Sequence, residues 1–266
     1  MTLNFSKTLY ITFNFNKKTL KDLPNLKINN TEIHKVHSTK YLGIIIDENL
    51  NWNLQVNNII SKISPYIGVF KKISKLCDDY VNKLLYYSFI YSNISYLISI
   101  WSATTKQNIK KLQKLQNKSL RLLFSKKYKS LTIHTIDLFE HYNILDLNHL
   151  INFDLIYNLF KIDNKLVKTT GSELVRNRAI HRYSTRQKNK IHNDVPIYNN
   201  HGLKSVLTRA INLYNELPNE LKSIHELSEF KRELKKELLI RQKEINKQNN
   251  NNKDYKNLIK TGWKKN

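Results

Sequence analysis

The residues most able to do chemistry in this sequence are cations spaced four positions apart. Lys106, Lys110, Lys114 and Lys118 follow one another at this interval, and Arg121 comes one turn later. Side chains four apart lie on one face of a helix, where like charges repel each other. A phosphate backbone would offset that repulsion, and the counterions it releases would add affinity. The spacing indicates a nucleic-acid-binding surface; the solvated face of a lysine-rich helix is the open alternative.

A second polar cluster lies near residue 183. Tyr183 and Arg186 belong to the sequence Tyr-Ser-Thr-Arg-Gln, which follows Arg178 and Arg182 in a stretch with little helical periodicity. Guanidinium groups beside an aromatic ring suit phosphate contact combined with base stacking. The alternative is a surface loop held by its own side-chain hydrogen bonds.

Patterns typical of catalysis or metal binding are missing from the sequence. Asp78 and Asp79 are the residue type with which polymerases hold divalent metal, but the following Val-Asn-Lys-Leu-Leu indicates a helix start, where acids favour the helix dipole. The nine histidines lack ligand spacing, and Cys77 is the only cysteine. We therefore predict no catalytic residue, metal, cofactor or small-molecule substrate for this chain.

Charge and hydropathy limit the classes of partner that this chain can have. Lys and Arg number 45 against 21 Asp and Glu, a formal net charge of +24. Such an excess favours a polyanion, with nucleic acid as the first candidate and an anionic membrane surface as the second. No run approaches the roughly 18 apolar residues of a spanning helix. We expect a soluble intracellular protein of the nucleus or cytoplasm, and the oligomeric state is left open.

The elements that must position these groups begin with short strands. Alternating apolar residues predict a strand over 9–15, and residues 26–33 predict strand, Asn-Asn turn, strand. The apolar run 42–46 predicts a buried strand, with Gly43 marking a close backbone approach.

Helical periodicity follows Trp52, so the fold class is α+β, mostly α: a short antiparallel sheet and then a helical bundle. Asn53 is the expected cap of the first helix, and Pro65 should kink or divide it. Residues 161–202 are expected to be irregular. Further helices are predicted from Asp78, over 105–124, after Asp146, and over 205–217 and 227–241.

Taken in order, a series of motifs resembles the C-terminal portion of a non-LTR (LINE-type, jockey-like) retrotransposon reverse transcriptase. The resemblance runs from the first residues to about Leu239. The matching stretches are 3–8, 40–47 with Trp52, 59–63, 67–68, 85–90, 96–101, 112–116 with Arg121, 183–186, 215–218 and 230–231.

This resemblance implies palm-end strands over 1–52, thumb-like helices over 53–130, a helical extension over 131–245 and a disordered basic tail over 246–266. It also implies that Lys40, Tyr41 and Gly43 lie where the primer end is positioned, and that RNA and DNA template–primer is the partner. The family's catalytic Asp-Asp turn should come shortly before Leu3. The chain is then a truncated RNA-directed DNA polymerase, inert alone, with Mg²⁺ expected only in a complete polymerase. The alternative is a stand-alone basic nucleic-acid-binding protein.

Overall fold

A computed structural model describes residues 4, 7–13, 26–124, 135–167, 174–180, 186–193 and 205–251. Short strands come first and helices make up most of the remaining described residues, which confirms the predicted α+β, mostly α class. Within these ranges no helix combines the length and the apolarity needed to cross a membrane.

The strands form three separate pairs. β1 (Leu9–Tyr10) pairs in parallel with β4 (His34–Lys35), and β2 (Lys27–Ile28) pairs antiparallel with β3 (Thr31–Glu32). β5 (Ser38–Tyr41) and β6 (Ile44–Asp47) form the longest antiparallel pair. The prediction of one antiparallel sheet is therefore wrong: the strands of the described residues form three two-stranded sheets, one of which is parallel.

The apolar run 42–46 is a hairpin turn and a strand, and not one buried strand as predicted. Leu42 (φ 45°) and Gly43 (φ 83°) both have positive φ, the signature of a two-residue type I′ turn. Of the three isoleucines after this turn, only Ile44 is fully buried. Asn29 and Asn30 make the other predicted turn in the same way, with φ of 48° and 62°.

A buried carboxylate organises the connection between β6 and the first helix. Asp47 Oδ1 accepts hydrogen bonds from the backbone N–H groups of Asn49 (3.1 Å) and Asn51 (3.2 Å), and Asp47 Oδ2 accepts one from Trp52 (3.0 Å). Trp52 starts the helix in the left-handed conformation with φ of 64°. The predicted Asn53 cap is therefore wrong.

Twelve helical segments carry the rest of the described chain. They are α1 (Asn53–Ile73), α2 (Asp79–Leu85), a π-helical segment (Tyr86–Tyr91), α3 (Ser92–Ser95), α4 (Ile98–Trp101), α5 (Lys106–Phe124), α6 (Thr135–His141), α7 (Leu147–Asp163), α8 (Asn177–Ile180), α9 (Val206–Asn215), α10 (Asn219–Lys222) and α11 (Leu227–Asn251).

Local chemistry explains several of the helix boundaries. Asp78, Asp146 and Ser205 each cap a helix through a side-chain oxygen that accepts from a backbone N–H three residues on. Pro65 lies inside α1, which continues as one helix to Ile73. α11 continues to Asn251, beyond the predicted end at residue 241 and into the predicted tail, whose residues 252–266 lie outside the described ranges.

Helix α7 forms the centre of the core. Its buried residues include Leu150, Ile151, Leu159 and Phe160, which are spread around its circumference. A helix that is apolar on every side must be covered on every side. Helices α3, α4, α5, α9 and α11 all pack against it, and Phe160 stacks on Phe230 of α11 with ring centroids 3.7 Å apart.

The described part of residues 161–202 is irregular but tied to the core. Arg176 makes a 2.5 Å ion pair with Asp163 at the end of α7. The backbone of Ile191 exchanges two hydrogen bonds with the Asn215 side chain, at 2.8 and 2.9 Å.

The Asp47 carboxylate should be a major stabiliser of this fold. Replacing Asp47 with Ala deprives three backbone N–H groups of their acceptor, so the free energy of unfolding should fall by about 2–3 kcal/mol. Urea unfolding followed by tryptophan fluorescence measures the change. Glu48→Ala is the matched control: it removes only a surface contact with His37 and should cost less than about 0.5 kcal/mol. Equal losses for the two variants would contradict this assignment.

Candidate nucleic-acid interface

The predicted cations share one exposed face of α5. We call this set the cationic stripe: Lys106, Lys110, Lys114, Lys118 and Arg121, all of which are exposed. The opposite face of α5 is buried. The predicted helix and its orientation are confirmed, whereas the role of the stripe in binding stays a prediction.

Buried contacts fix which face of α5 turns outward. Leu112, Leu120 and Leu123 are fully buried in the core. Gln116, also fully buried, donates from Nε2 to the Tyr86 hydroxyl (2.8 Å) and to the Leu145 carbonyl (3.0 Å). These contacts leave α5 one orientation about its own axis.

Polar contacts also join the start of α5 to the start of α1. The side-chain amide of Asn108 donates to Asn53 Oδ1 at 2.6 Å and to Thr104 Oγ1 at 2.8 Å. The Thr104 hydroxyl donates in turn to the Asn51 carbonyl at 2.9 Å. The loop organised by Asp47 and the first turn of the cationic stripe therefore form one hydrogen-bonded unit.

The lysines of the stripe carry uncompensated charge. In the described ranges no carboxylate lies within ion-pair distance of Lys106, Lys110, Lys114 or Lys118. Arg121 donates from Nε to the Thr135 hydroxyl at 2.6 Å, a neutral partner. Repulsion along the stripe is thus left for solvent or an anionic ligand to offset.

A groove of about 310 Å³ adjoins the first two turns of the stripe. We call it the arginine groove, after Arg209 of α9. Lys106 and Lys110 contribute one wall, and Asn148 and Asn152 of α7 contribute another. Ammonium, amide and guanidinium groups can all donate hydrogen bonds to a single anion placed between them.

Arg209 is a desolvated cation whose hydrogen-bonding capacity is only partly used. Its Nη2 donates to Ser102 Oγ at 2.8 Å, while its buried Nη1 has no hydrogen-bond partner among the residues that the structure describes. Burial lowers the pKa of the guanidinium. No carboxylate in the described ranges pairs with it, so an anion in the groove would supply the missing charge.

The predicted residues 40–43 lie at the β5–β6 hairpin. Lys40 and Tyr41 are exposed, and Tyr96 donates its hydroxyl to the Leu42 carbonyl at 2.8 Å. A Cβ at Gly43 would lie 3.3 Å from the Tyr96 ring, so the predicted close approach at this glycine is confirmed. The hairpin is anchored by Tyr96, between α3 and α4, whereas the stripe belongs to α5.

The second predicted cluster is only partly described. Tyr183 lies outside the described residues, and Arg186 is exposed in the turn that opens the described range 186–193.

The Asp78–Asp79 pair is structural, as its sequence context predicted. Asp78 Oδ1 accepts from the Val81 N–H at 2.8 Å as the cap of α2, and Asp79 Oδ2 accepts from the Tyr142 hydroxyl at 3.1 Å. Across the described ranges, no group of three His, Cys, Asp or Glu side chains is placed to hold a metal ion.

Arg209 is the functional candidate that the sequence patterns missed. It lies between Thr208 and Ala210, both buried, on a helix with a pronounced apolar face. Arg209 itself lies away from that apolar face, which carries Ala210, Ile211 and Tyr214. Its buried surroundings include Ser102, 107 residues away, so no local sequence pattern marks it.

Comparisons with known proteins identify two relatives. The chain is 29% identical over 126 residues to the probable RNA-directed DNA polymerase from transposon X-element of Drosophila melanogaster. It is 24% identical over 128 residues to the RNA-directed DNA polymerase from mobile element jockey of Drosophila funebris. Each match covers 46% of this chain and 13% of the relative.

No family model and no solved structure matches the chain. The resemblance to the RNA-directed DNA polymerase of a transposon is confirmed by the two relatives. The chain spans only a small part of their length.

The unpaired charge of Arg209 predicts an unusual mutational response. Arg209→Met keeps the aliphatic packing and removes the desolvated charge, so the free energy of unfolding should stay level or rise by about 1–2 kcal/mol. Arg241→Met is the matched control, because Arg241 is also half-buried but pairs with Glu237 at 2.6 Å. That variant should lose about 1 kcal/mol. Urea unfolding of both checks this, and an Arg209 variant that loses more than the control would contradict it.

Proposed function

We propose that this chain is the nucleic-acid-holding part of a non-LTR retrotransposon reverse transcriptase, and that it grips the template–primer through the cationic stripe. The observation that carries the proposal is the row of uncompensated cations on the outward face of α5, continuous with the arginine groove. The two transposon polymerases similar to the chain support the choice of nucleic acid as the ligand.

The dimensions of the stripe suit a nucleic-acid backbone. From Lys106 to Arg121 the helix rises about 22 Å at 1.5 Å per residue. One strand advances about 3.4 Å per nucleotide, so the stripe can follow about six nucleotides. Arg209 would hold one phosphate inside the arginine groove while the lysines contact its neighbours along the strand. Contacts of this kind position a duplex without reading its sequence.

The remaining divisions follow the resemblance. We assign residues 1–52 to the end of a palm, 53–130 to a thumb and 131–245 to a helical extension, with Lys40, Tyr41 and Gly43 beside the primer end. In this arrangement the hairpin presents the exposed Lys40 and Tyr41 to the primer, while Gly43 keeps the turn closed against Tyr96.

Neutralising the stripe should reduce the salt dependence of binding. Replacing Lys106, Lys110 and Lys114 with Gln removes three phosphate contacts, each worth about 0.7–0.9 in the slope of log K against log salt concentration. The slope for a primed RNA–DNA duplex should therefore fall in magnitude by about 2–3, as measured by fluorescence anisotropy across a salt series.

The control variant replaces three lysines outside the stripe, so its net charge equals that of the stripe variant. Lys35, Lys62 and Lys247 are exposed on β4, α1 and α11, elements other than the helix that carries the stripe. Their replacement with Gln should change the slope by less than about 0.5. Equal effects of the two triple variants would show diffuse attraction to the whole protein and would contradict a defined interface.

The chain alone should not extend a primer. Nucleotide addition needs carboxylates that hold divalent metal ions, and the one Asp-Asp pair is occupied by a helix cap and by Tyr142. An extension assay with Mg²⁺ or Mn²⁺ and a labelled RNA–DNA primer–template should give no product. Nucleotide incorporation that Asp78→Asn or Asp79→Asn abolishes would contradict the proposal that this chain binds the template–primer without catalysing nucleotide addition.

A further inference from the structure

A second groove, separate from the cationic stripe, combines aromatic rings with two lysines that lack acidic partners among the described residues. It has a volume of about 290 Å³, and we call it the tyrosine groove. The π-helical segment forms one wall, α7 the floor and α11 the other wall. The residues that matter here are Tyr87, Tyr91, Leu150, Phe153, Lys231 and Lys235.

The π-helical segment brings two tyrosines together. The N–H of Ser92 donates to the Tyr87 carbonyl five residues back, which widens the turn. The rings of Tyr87 and Tyr91 are 5.1 Å apart at an angle of 58°, and both are only partly buried. π-helical turns of this kind interrupt a regular helix at some cost and frequently mark functional sites. Here the turn exposes an aromatic surface at the wall of a groove.

Three cations line the groove, and Arg232 pairs with Glu233 at 2.9 Å, whereas Lys231 and Lys235 have no carboxylate partner in the described ranges. Lys235 of α11 lies close to Lys83 of α2 and to Lys231, and no carboxylate in the described ranges is within ion-pair distance of any of these three lysines. Burial and the charges of Lys83 and Lys231 lower the pKa of Lys235. An anion at this position would relieve both the desolvation and the repulsion.

Other cations on α11 have acidic partners, in contrast to Lys231 and Lys235. Arg232, Lys236 and Arg241 each contact a glutamate on the same helix. Acidic partners are therefore present on α11, yet Lys231 and Lys235 have none among the described residues. Charge complementarity at the groove is left for a ligand.

We propose that the tyrosine groove seats one unpaired base of a single-stranded nucleic acid, with a flanking phosphate on Lys231 and Lys235. The base would lie against Tyr87 and Tyr91, above the apolar floor of Leu150 and Phe153. The groove is at the lower end of the size range of small-molecule pockets, which suits one base and not a base pair. The inference rests on the proposed function for the class of ligand but concerns a different surface.

The test compares two strands of equal charge. A ten-residue oligothymidylate and a ten-residue abasic strand carry the same phosphates, and only the first has bases. Stacking of one base is worth about a fivefold to hundredfold gain in affinity, so the protein should prefer the oligothymidylate by that factor. Tyr87→Leu combined with Tyr91→Leu should remove most of this preference and leave binding of the abasic strand within about twofold.

Tyr80→Leu is the matched control. Tyr80 is 71% exposed on α2 and does not line the groove, so its replacement should leave both affinities unchanged. Circular dichroism and thermal unfolding show whether the double variant is folded.

A measurement on the wild-type protein covers the case in which the double variant does not fold. An oligonucleotide carrying 5-iodouracil should cross-link on irradiation to Tyr87 or Tyr91, as identified by mass spectrometry. Cross-links that avoid both tyrosines would overturn the inference.

The two proposals fail in distinguishable ways. If neither single strand binds but the primed RNA–DNA duplex does, the proposed function stands and this inference fails; if the duplex does not bind either, both fail. If both strands bind equally and with steep salt dependence, the proposed function stands and the tyrosine groove is not a base site.

Discussion

The division of α5 into a buried face and a charged face is the constraint on which the rest of the structure depends. Leucines at positions 112, 120 and 123 fix that division by packing into the core. Gln116 then locks it, because a fully buried amide must keep its two acceptors, Tyr86 and Leu145. Rotating the helix about its axis by one residue would remove the Gln116 amide from its two acceptors and would bury a lysine. The outward direction of the cationic stripe is thus a consequence of core chemistry.

Hydrogen bonds from α5 also connect the cationic stripe to the loop before α1 and to the segment before α7. Through Asn108 and Thr104, α5 holds the loop that Asp47 organises, and through Gln116 it holds the segment that precedes α7. The uncompensated cations act against this framework, since their mutual repulsion disfavours the compact state. A framework with many buried ties can tolerate such a cost, and natural proteins accept it where binding requires it.

Much of this arrangement is predictable from local patterns, and the exceptions have identifiable causes. Four-residue lysine spacing and the Asp78 cap depend only on neighbours in sequence, so α5 and α2 are both predictable. The turn at Leu42 and Gly43 is not, because a type I′ turn flanked by isoleucines has the same composition as a buried strand. Asparagine favours the cap position, which is why Asn53 is expected there, but its oxygen is instead committed to Asn108, 55 residues away.

The two grooves are beyond sequence analysis for a related reason. Arg209 meets Ser102 across 107 residues of chain. Tyr87 and Tyr91 meet α11 only because the intervening helices fold between them. A π-helical turn leaves no periodicity by which its side chains could be assigned to a face. Sites assembled from distant elements require the packing to be known.

The placement of α7 between the grooves has a further consequence for how nucleic acid can lie on the protein. Asn148 and Asn152, which line the arginine groove, follow one side of the first turns of α7. Leu150 and Phe153, which floor the tyrosine groove, follow the other side. If both proposals hold, a duplex on the stripe and an unpaired base in the tyrosine groove would lie on different sides of α7, and the single strand leaving the duplex would connect them. As proposed, the cationic stripe takes a paired backbone and the tyrosine groove takes an unpaired base. Because the two surfaces share no cation, their contributions to affinity should be close to additive.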